Sequence, residues 1–410
     1  MQTDYISYHR PSIGEEEIAE VVATLRSGWI TSGGKARQFE QEFAERVEAP
    51  FALAVNSCTS ALHLALAALN IGPGDEVITT PLTFCATVNT ILHTGATPVL
   101  ADIDGTGNID PASIAARITA RTRAIVPVHY AGLPCDLDAI WDLAEEHGLK
   151  VVEDAAHALG ATYSGAPIGA PVSGRRSDAV AFSFYATKNI TIGEGGMVIT
   201  ACQELAERMR RLCLHGISRD AWGRYADRGN WYYQVEECGF KYNLSDIQAA
   251  IGIHQLRRLD EFTEARARYA NLYQTAFAGV EEVEIPAVPP GRTHCWHLYP
   301  LRLDLTRLDI HRAQFIQELQ NRGVGASVHF IPIPLHPFFS PYAGLPHNRC
   351  ERALQLYPRL VSLPLYPAMT EAQVCRVIDT VKEIVSAHQL TRSVHASMHA
   401  AAGWRGKAAS

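Results

Sequence analysis

Between residues 51 and 200 short apolar runs alternate with longer segments of helical periodicity, and this alternation restricts the chain to few folds. The runs 51–55, 76–80, 97–102, 124–128, 150–153, 179–184 and 197–200 have the length and apolar density of strands buried on both faces. Segments 59–69, 86–93, 136–147 and 203–212 carry the intervening helical pattern. Elements in this order predict an α/β fold with a mostly parallel seven-stranded sheet covered by helices on both sides. Ligands of such sheets gather at the carboxyl ends of the strands, so the residues that close each run are the first candidates for chemistry.

The pattern changes in the second half. A long helical region follows Tyr242-Asn-Leu-Ser-Asp246 and continues past Arg268. After the proline-rich stretch 285–291, strands are predicted near 297–303 and 325–330, with helices at 311–322 and 370–387. This divides the chain into a large domain with an N-terminal arm over 1–260, a smaller α+β domain over 261–389, and a flexible tail over 390–410 that has little apolar surface to bury. A net charge of −7 with no block of Lys or Arg argues against nucleic acid as a partner. There is no uninterrupted apolar stretch of membrane-spanning length and no leader-like start, so neither a membrane nor secretion is expected and the cytoplasm is the expected compartment. The nine cysteines are irregularly spaced without Cys-x-x-Cys, which indicates neither a disulfide framework nor a thiolate zinc site.

Two strand ends carry the chemical signal. Lys188 lies in Ser183-Phe-Tyr-Ala-Thr-Lys-Asn, after one apolar run and before the Gly193-Glu-Gly-Gly196 turn. Val151-Val-Glu-Asp154-Ala-Ala-His157 places a carboxylate at the end of another. A lone lysine near glycines is usually solvated, and Asp154 has a plain alternative as a helix cap. Together they look like the two anchors of pyridoxal 5′-phosphate: an amine that condenses with its aldehyde, and a carboxylate that pairs with its protonated ring nitrogen. Burial between strands favours the neutral, reactive amine.

The neighbouring candidates have bland readings as well. Asn56-Ser-Cys-Thr59-Ser60 ends a strand and opens a helix, so Thr59 and Ser60 either cap that helix or hold a phosphate at its N-terminus. Ser183 offers a further hydroxyl, and Phe84 either stacks on a ring or is core. The glycines of 193–196 are read as a tight turn that lets the backbone approach a ligand. His294-Cys-Trp-His297 and His395-x-x-x-His399 have ligand-like spacing, but no third or fourth ligand lies near either, so no metal is expected. No Gly-x-Gly-x-x-Gly fingerprint is present, which argues against a nicotinamide enzyme.

Five ordered segments resemble the sugar aminotransferases of the DegT/DnrJ/EryC1/StrS family, within the fold-type I pyridoxal phosphate enzymes. They are Gly28-Trp-Ile-Thr-Ser-Gly33, Asn56 to Ala61, Glu153-Asp-Ala-Ala-His157, Ser183 to Gly196, and Gly239-Phe-Lys-Tyr-Asn-Leu-Ser-Asp246, spread over about residues 11–388. The resemblance implies Lys188 as the cofactor lysine, Asp154 as the partner of the ring nitrogen, and His157 beside the cofactor's phenolic oxygen. It assigns the phosphate to Thr59, Ser60, Ser183 and the partner's Asn243, which implies a homodimer with shared sites, and it leaves Phe84 to stack on the ring. Family members that have become dehydratases have lost the lysine; this chain keeps it.

The implied reaction is ping-pong, with L-glutamate as amino donor and a nucleotide-linked keto-sugar as acceptor. Gly-Glu-Gly-Gly after the lysine, together with the segments 215–222 and 295–299, resembles enzymes that aminate C4 of UDP-4-keto sugars. Arg219, Trp222 and His329 are expected to line the sugar-nucleotide site, with a surface loop and a core histidine as the plain alternatives. The competing expectations are a 3-aminotransferase on a dTDP-linked 3-keto sugar, an aminotransferase on a cyclitol, and a non-catalytic regulatory protein that only binds the cofactor.

Overall fold

The computed structural model describes residues 5–218, 232–343 and 349–390. The seven predicted strands form one sheet. In chain order they are β1 (Phe51–Val55), β2 (Glu76–Thr79), β3 (Thr97–Leu100), β4 (Thr122–Val126), β5 (Lys150–Asp154), β6 (Ala179–Ser183) and β7 (Gly196–Thr200). Their spatial order is β1-β7-β6-β5-β4-β2-β3, and β7 runs antiparallel to both of its neighbours while every other pair is parallel. The short connection from Ser183 to Gly196 holds no crossover helix, so the chain reverses there.

Alternation within each strand splits the core into two layers. On one face Ala52, Ala54, Val151, Val180, Phe182, Met197 and Ile199 join Phe39 and Phe43 of α2 (Gly34–Arg46). On the other face Leu53, Val55, Val152, Ala181 and Val198 meet Leu62 and Leu66 of α3 (Cys58–Ala68). Phe39, Phe43, Phe182 and Phe184 form an aromatic cluster with ring centroids 5.1–6.2 Å apart, at the separations edge-to-face packing prefers. Each is fully buried, and burial of one such side chain stabilises the fold by about 1.5–3 kcal/mol.

Further helices are α4 (Cys85–His93), α5 (Leu137–His147), α6 (Gln203–Cys213), α7 (Asp246–Arg257) and α8 (Leu259–Phe277). The helical region predicted to continue past Arg268 is thus two helices that meet at Arg258. In α8, Leu259 and Phe262 belong to the sheet's core, whereas Tyr269, Tyr273 and Phe277 belong to a separate C-terminal core. That second core surrounds an antiparallel sheet of β8 (Val283–Glu284), β9 (Tyr299–Leu303) and β10 (Leu360–Leu363) with α9 (Arg312–Asn321) and α10 (Glu371–His388). The N-terminal arm reaches it too, through Ile6 paired with Val324.

The predicted strand over 325–330 does not form. Its hydrogen bonds are divided between two partners, with Gly325 N–H donating to Ile6 O at 2.8 Å and Ser327 exchanging bonds with Ser362, so no ladder is completed. β9 starts at Tyr299 rather than 297 because the preceding residues form a turn at the sheet's carboxyl edge. Of the expected tail, only residue 390 falls among those described. Among the described residues no helix is long and apolar enough to cross a membrane.

Candidate active site

The register of the sheet brings four strand ends level. Asp154 ends β5 opposite Ala181, and Ser183 ends β6 opposite Gly196, which also faces Val55 at the end of β1. A cavity of ≈ 500 Å³ opens over this edge, and Thr59, Phe84, Asp154, His157, Ser183, Lys188 and His329 all line it. Seven residues scattered across 270 positions of sequence therefore meet in one place.

Lys188 sits in the β6–β7 turn, its N–H donating to Tyr185 O at 2.9 Å. Its side chain is half-buried because it faces the cavity, yet protein encloses the amine on its other sides. Burial lowers its pKa to about 8, against the upward pull of Cys58 and Asp154. Across the cavity Asp154 accepts from Thr87 Oγ1 at 2.8 Å and from Ala156 N–H at 3.1 Å. Both donors are neutral. Burial raises the carboxyl above its usual range while these donors and Lys188 oppose the shift.

Hydrogen bonds and close packing hold the neighbouring candidates in place. Ser57 caps α3, accepting the Ser60 N–H at 3.0 Å, and Ser60 Oγ donates to Asn56 Oδ1 at 2.6 Å. Ser60 is buried behind the cavity, which leaves Ser57, Cys58 and Thr59 on its wall. Gly193, with φ 83°, makes the expected tight turn. The close approach at Gly196 is to the protein itself: a Cβ there would stand 2.6 Å from Cys58 N and from Ser57 C, so this glycine seats the start of α3 against the sheet. Asn243 lies off this cavity, donating from Nδ2 to Ser32 Oγ at 2.7 Å and lining a different cleft beside Ser32 and Gly33. Phe84, 61 % exposed, stands at the mouth with its ring 6.2 Å from Phe330.

His157 is buried, and its Nδ1 has no hydrogen-bond partner. Burial first, then Lys188 and three surrounding histidines, holds it well below the ordinary imidazole range, so it is neutral. His329 is anchored through Nδ1 to Ser362 Oγ at 2.9 Å, and burial together with Lys188 lowers its pKa to about 4. Arg219 and Trp222 lie outside the described residues, as do His395 and His399. His294 Nδ1 accepts the Trp296 N–H at 2.9 Å. Among the described residues no group of three or more His, Cys, Asp or Glu is placed to hold a metal ion.

This donor set fits pyridoxal phosphate. Asp154 offers a carboxylate that forms no ion pair among the described residues, so it suits a cationic ring nitrogen. Lys188 offers an amine whose neutral form burial brings within reach, the orphaned His157 Nδ1 lacks only a partner, and the start of α3 offers backbone N–H groups of the kind that bind phosphate.

Residues 11–382 match the model of the DegT/DnrJ/EryC1/StrS aminotransferase family. The chain belongs to this family. It is 51% identical over 383 residues to the spore coat polysaccharide biosynthesis protein SpsC of Bacillus subtilis, covering 93% of this chain and 97% of SpsC. It superposes on the pyridoxal phosphate form of the putative sugar aminotransferase Spr1654 from Streptococcus pneumoniae with a TM-score of 0.86 at 32% identity, over 93% of this chain and 99% of that one. PseC of Helicobacter pylori, an aminotransferase involved in the biosynthesis of pseudoaminic acid, gives a TM-score of 0.85 at 30% identity, over 93% and 100%. The chain is thus a pyridoxal phosphate-dependent sugar aminotransferase with the fold expected of that class.

Thr87 and His297 are among the cavity residues that the sequence reading did not name. Thr87 had only helical position as its signal. His297 was visible in the His294-Cys-Trp-His297 spacing, which points toward a metal when read alone.

Proposed function

We propose that this aminotransferase carries the amino group of L-glutamate to C4 of a UDP-linked 4-keto sugar, in the cytoplasm, as a homodimer whose sites are shared. The observation that carries the reading is the meeting of Lys188 and Asp154 in one cavity whose mouth is open and aromatic at Phe84. The C4 position is supported by Gly193-Glu-Gly-Gly196 directly after the lysine turn. SpsC is named for the biosynthesis of spore coat polysaccharide and PseC for that of pseudoaminic acid, which supports a role in cell-surface glycan or related amino-sugar synthesis here.

When bound, pyridoxal phosphate supplies an aldehyde for amine exchange and a ring that draws electrons from the substrate carbon. Lys188, as a neutral amine, would take the proton from the donor's α-carbon and later deliver one to the acceptor carbon. A pKa near 8 leaves it close to half neutral at that pH, which suits both directions of transfer. Asp154 holds a proton on the ring nitrogen, and its charge counts for more because the site is buried. His157 stays neutral and offers its free Nδ1 to the phenolic oxygen. Thr59, Ser183 and the N–H groups at the start of α3 hold the phosphate, with Ser60 acting through the cap. In a dimer the partner's Asn243 completes that cradle; within its own protomer the residue is turned away from the cavity, as such a role requires. Phe84 covers the ring at the mouth, and His329 faces the sugar.

The test is a two-stage spectral titration. The cofactor's visible band should disappear with L-glutamate and return with a UDP-4-keto sugar, with the new amine at C4 by NMR of the product. Return only with a dTDP-linked 3-keto sugar, or with a cyclitol ketone that lacks any nucleotide, overturns the acceptor. Full activity in a demonstrably monomeric sample overturns the shared site.

A further inference from the structure

The His294-Cys-Trp-His297 segment has ligand-like spacing, and the structure shows another use for it. Trp296 adopts φ 51°, a left-handed conformation that a bulky residue keeps only where its surroundings over-determine it. The surroundings do so. His294 stacks on the Trp296 ring at 3.9 Å between centroids and 5° from parallel, besides accepting the Trp296 N–H. The buried Arg266 guanidinium donates through Nη1 to the carbonyls of Trp296, His297 and Leu365 at 3.3, 3.2 and 2.7 Å. Gly132, φ 98°, makes room, since a Cβ there would stand 2.6 Å from Cys295 Sγ and 2.8 Å from the His157 carbonyl.

The turn delivers His297 to the cavity wall, where its ring centroid lies 4.3 Å from that of His157. His297 Nδ1 is 3.1 Å from Asn189 Oδ1. The Asn189 amide nitrogen donates to Leu159 O at 2.9 Å, so the oxygen is the atom that meets His297, and Nδ1 must carry the proton. Asn189 directly follows Lys188 in the chain. The same turn also grips His157 from behind, through the Cys295 thiol donating to the His157 carbonyl at 3.0 Å.

We propose that His297 is a positioning residue of amino transfer: fixed by Asn189 as the neutral Nδ1–H tautomer, it packs on His157 and holds that imidazole, and through Asn189 the lysine turn, in the orientation the cofactor needs. This rests on the cofactor lying between Lys188 and Asp154 and adds the wall behind it. Burial keeps both imidazoles neutral, and the titratable groups facing them act in the same direction: Lys188, Arg266, His329 and His157 on His297, and Lys188, His329, His129 and His294 on His157. A charged His297 would place a second cation against this group and weaken the hold on His157.

Side-chain ¹⁵N NMR of the apoprotein and the holoenzyme reads the tautomer directly. His297 should show a protonated Nδ1 and no titration over roughly pH 6 to 9. Asn189→Leu, which removes the acceptor, should move the pH midpoint of the cofactor's visible band and slow the glutamate half-reaction roughly tenfold. Asn189→Asp, whose carboxylate favours a charged His297, should not recover that rate. An Nε2–H tautomer, a charging imidazole in that range, or an Asn189→Leu enzyme with wild-type midpoint and rate would overturn the proposal. If Asn189→Leu does not fold, the tautomer of the wild-type protein decides. Failure of the cofactor placement would look different, as a wild-type protein whose visible band is insensitive to loss of Lys188.

Discussion

Glu153 and Asp154 are adjacent on β5, and the two faces of the strand treat them oppositely. Glu153 points into the layer beneath the sheet, where His129 Nε2 meets it at 2.7 Å with both side chains buried. His129 Nδ1 accepts the Cys135 N–H at 3.0 Å, so its proton is on Nε2 and is donated to Glu153. Asp154, one residue on, points to the cavity and receives only a hydroxyl and a backbone N–H. The difference teaches how a strand can satisfy one carboxylate and leave its neighbour open. The fold supplies Glu153 with its partner, whereas Asp154 faces the cavity and forms no ion pair among the described residues.

The largest effect expected on the cavity side comes from its amine. Lys188→Ala should reduce both half-reactions by at least about 10⁴-fold, measured by stopped-flow with L-glutamate, with little change in thermal stability. Next, exchanging the two neighbours should separate their roles. Asp154→Asn removes the charge opposite the ring nitrogen and should lower kcat by about 10²–10³-fold while the melting temperature holds. Glu153→Gln should do the reverse, weakening a buried hydrogen bond to a charged group and costing about 1.5–3 kcal/mol in denaturant unfolding with kcat near wild type. Loss of kcat in Glu153→Gln with stability unchanged would break the comparison.

A third prediction follows from the pKa of about 8 at Lys188. The amine must be neutral to react, so cofactor uptake by the apoprotein should rise roughly tenfold per pH unit below about pH 8 and level off above it. A plateau only near the ordinary lysine range would mean that burial does not tune this amine. The smallest effect belongs to the mouth. Phe84→Ala removes one exposed stacking surface and should weaken cofactor binding by about 0.5–1.5 kcal/mol, a few-fold in Kd by equilibrium titration.

The same contrast marks what the sequence makes legible. The mostly parallel sheet, and the places of Lys188 and Asp154 over its carboxyl edge, could be read because each signal is local: an apolar run, then the residues that close it. His297 could not, because it reaches His157 from 140 positions away through a strained turn, and spacing alone makes two histidines look like ligands. Ser60 shows the opposite case. Its position at a helix start is local, but the partner of its hydroxyl is not written in that position, and Asn56 and Ser57 are the groups it meets here. The absent strand at 325–330 reflects another non-local fact, the N-terminal arm that claims Gly325.

One lysine has to hold the cofactor, and Lys188 is the one that lines the cavity. Borohydride reduction of the holoenzyme followed by peptide mass spectrometry reads this directly. The label should fall on Lys188 alone; a label on Lys35, Lys150, Lys241, Lys382 or Lys407 instead, with Lys188 unmodified, would contradict the account.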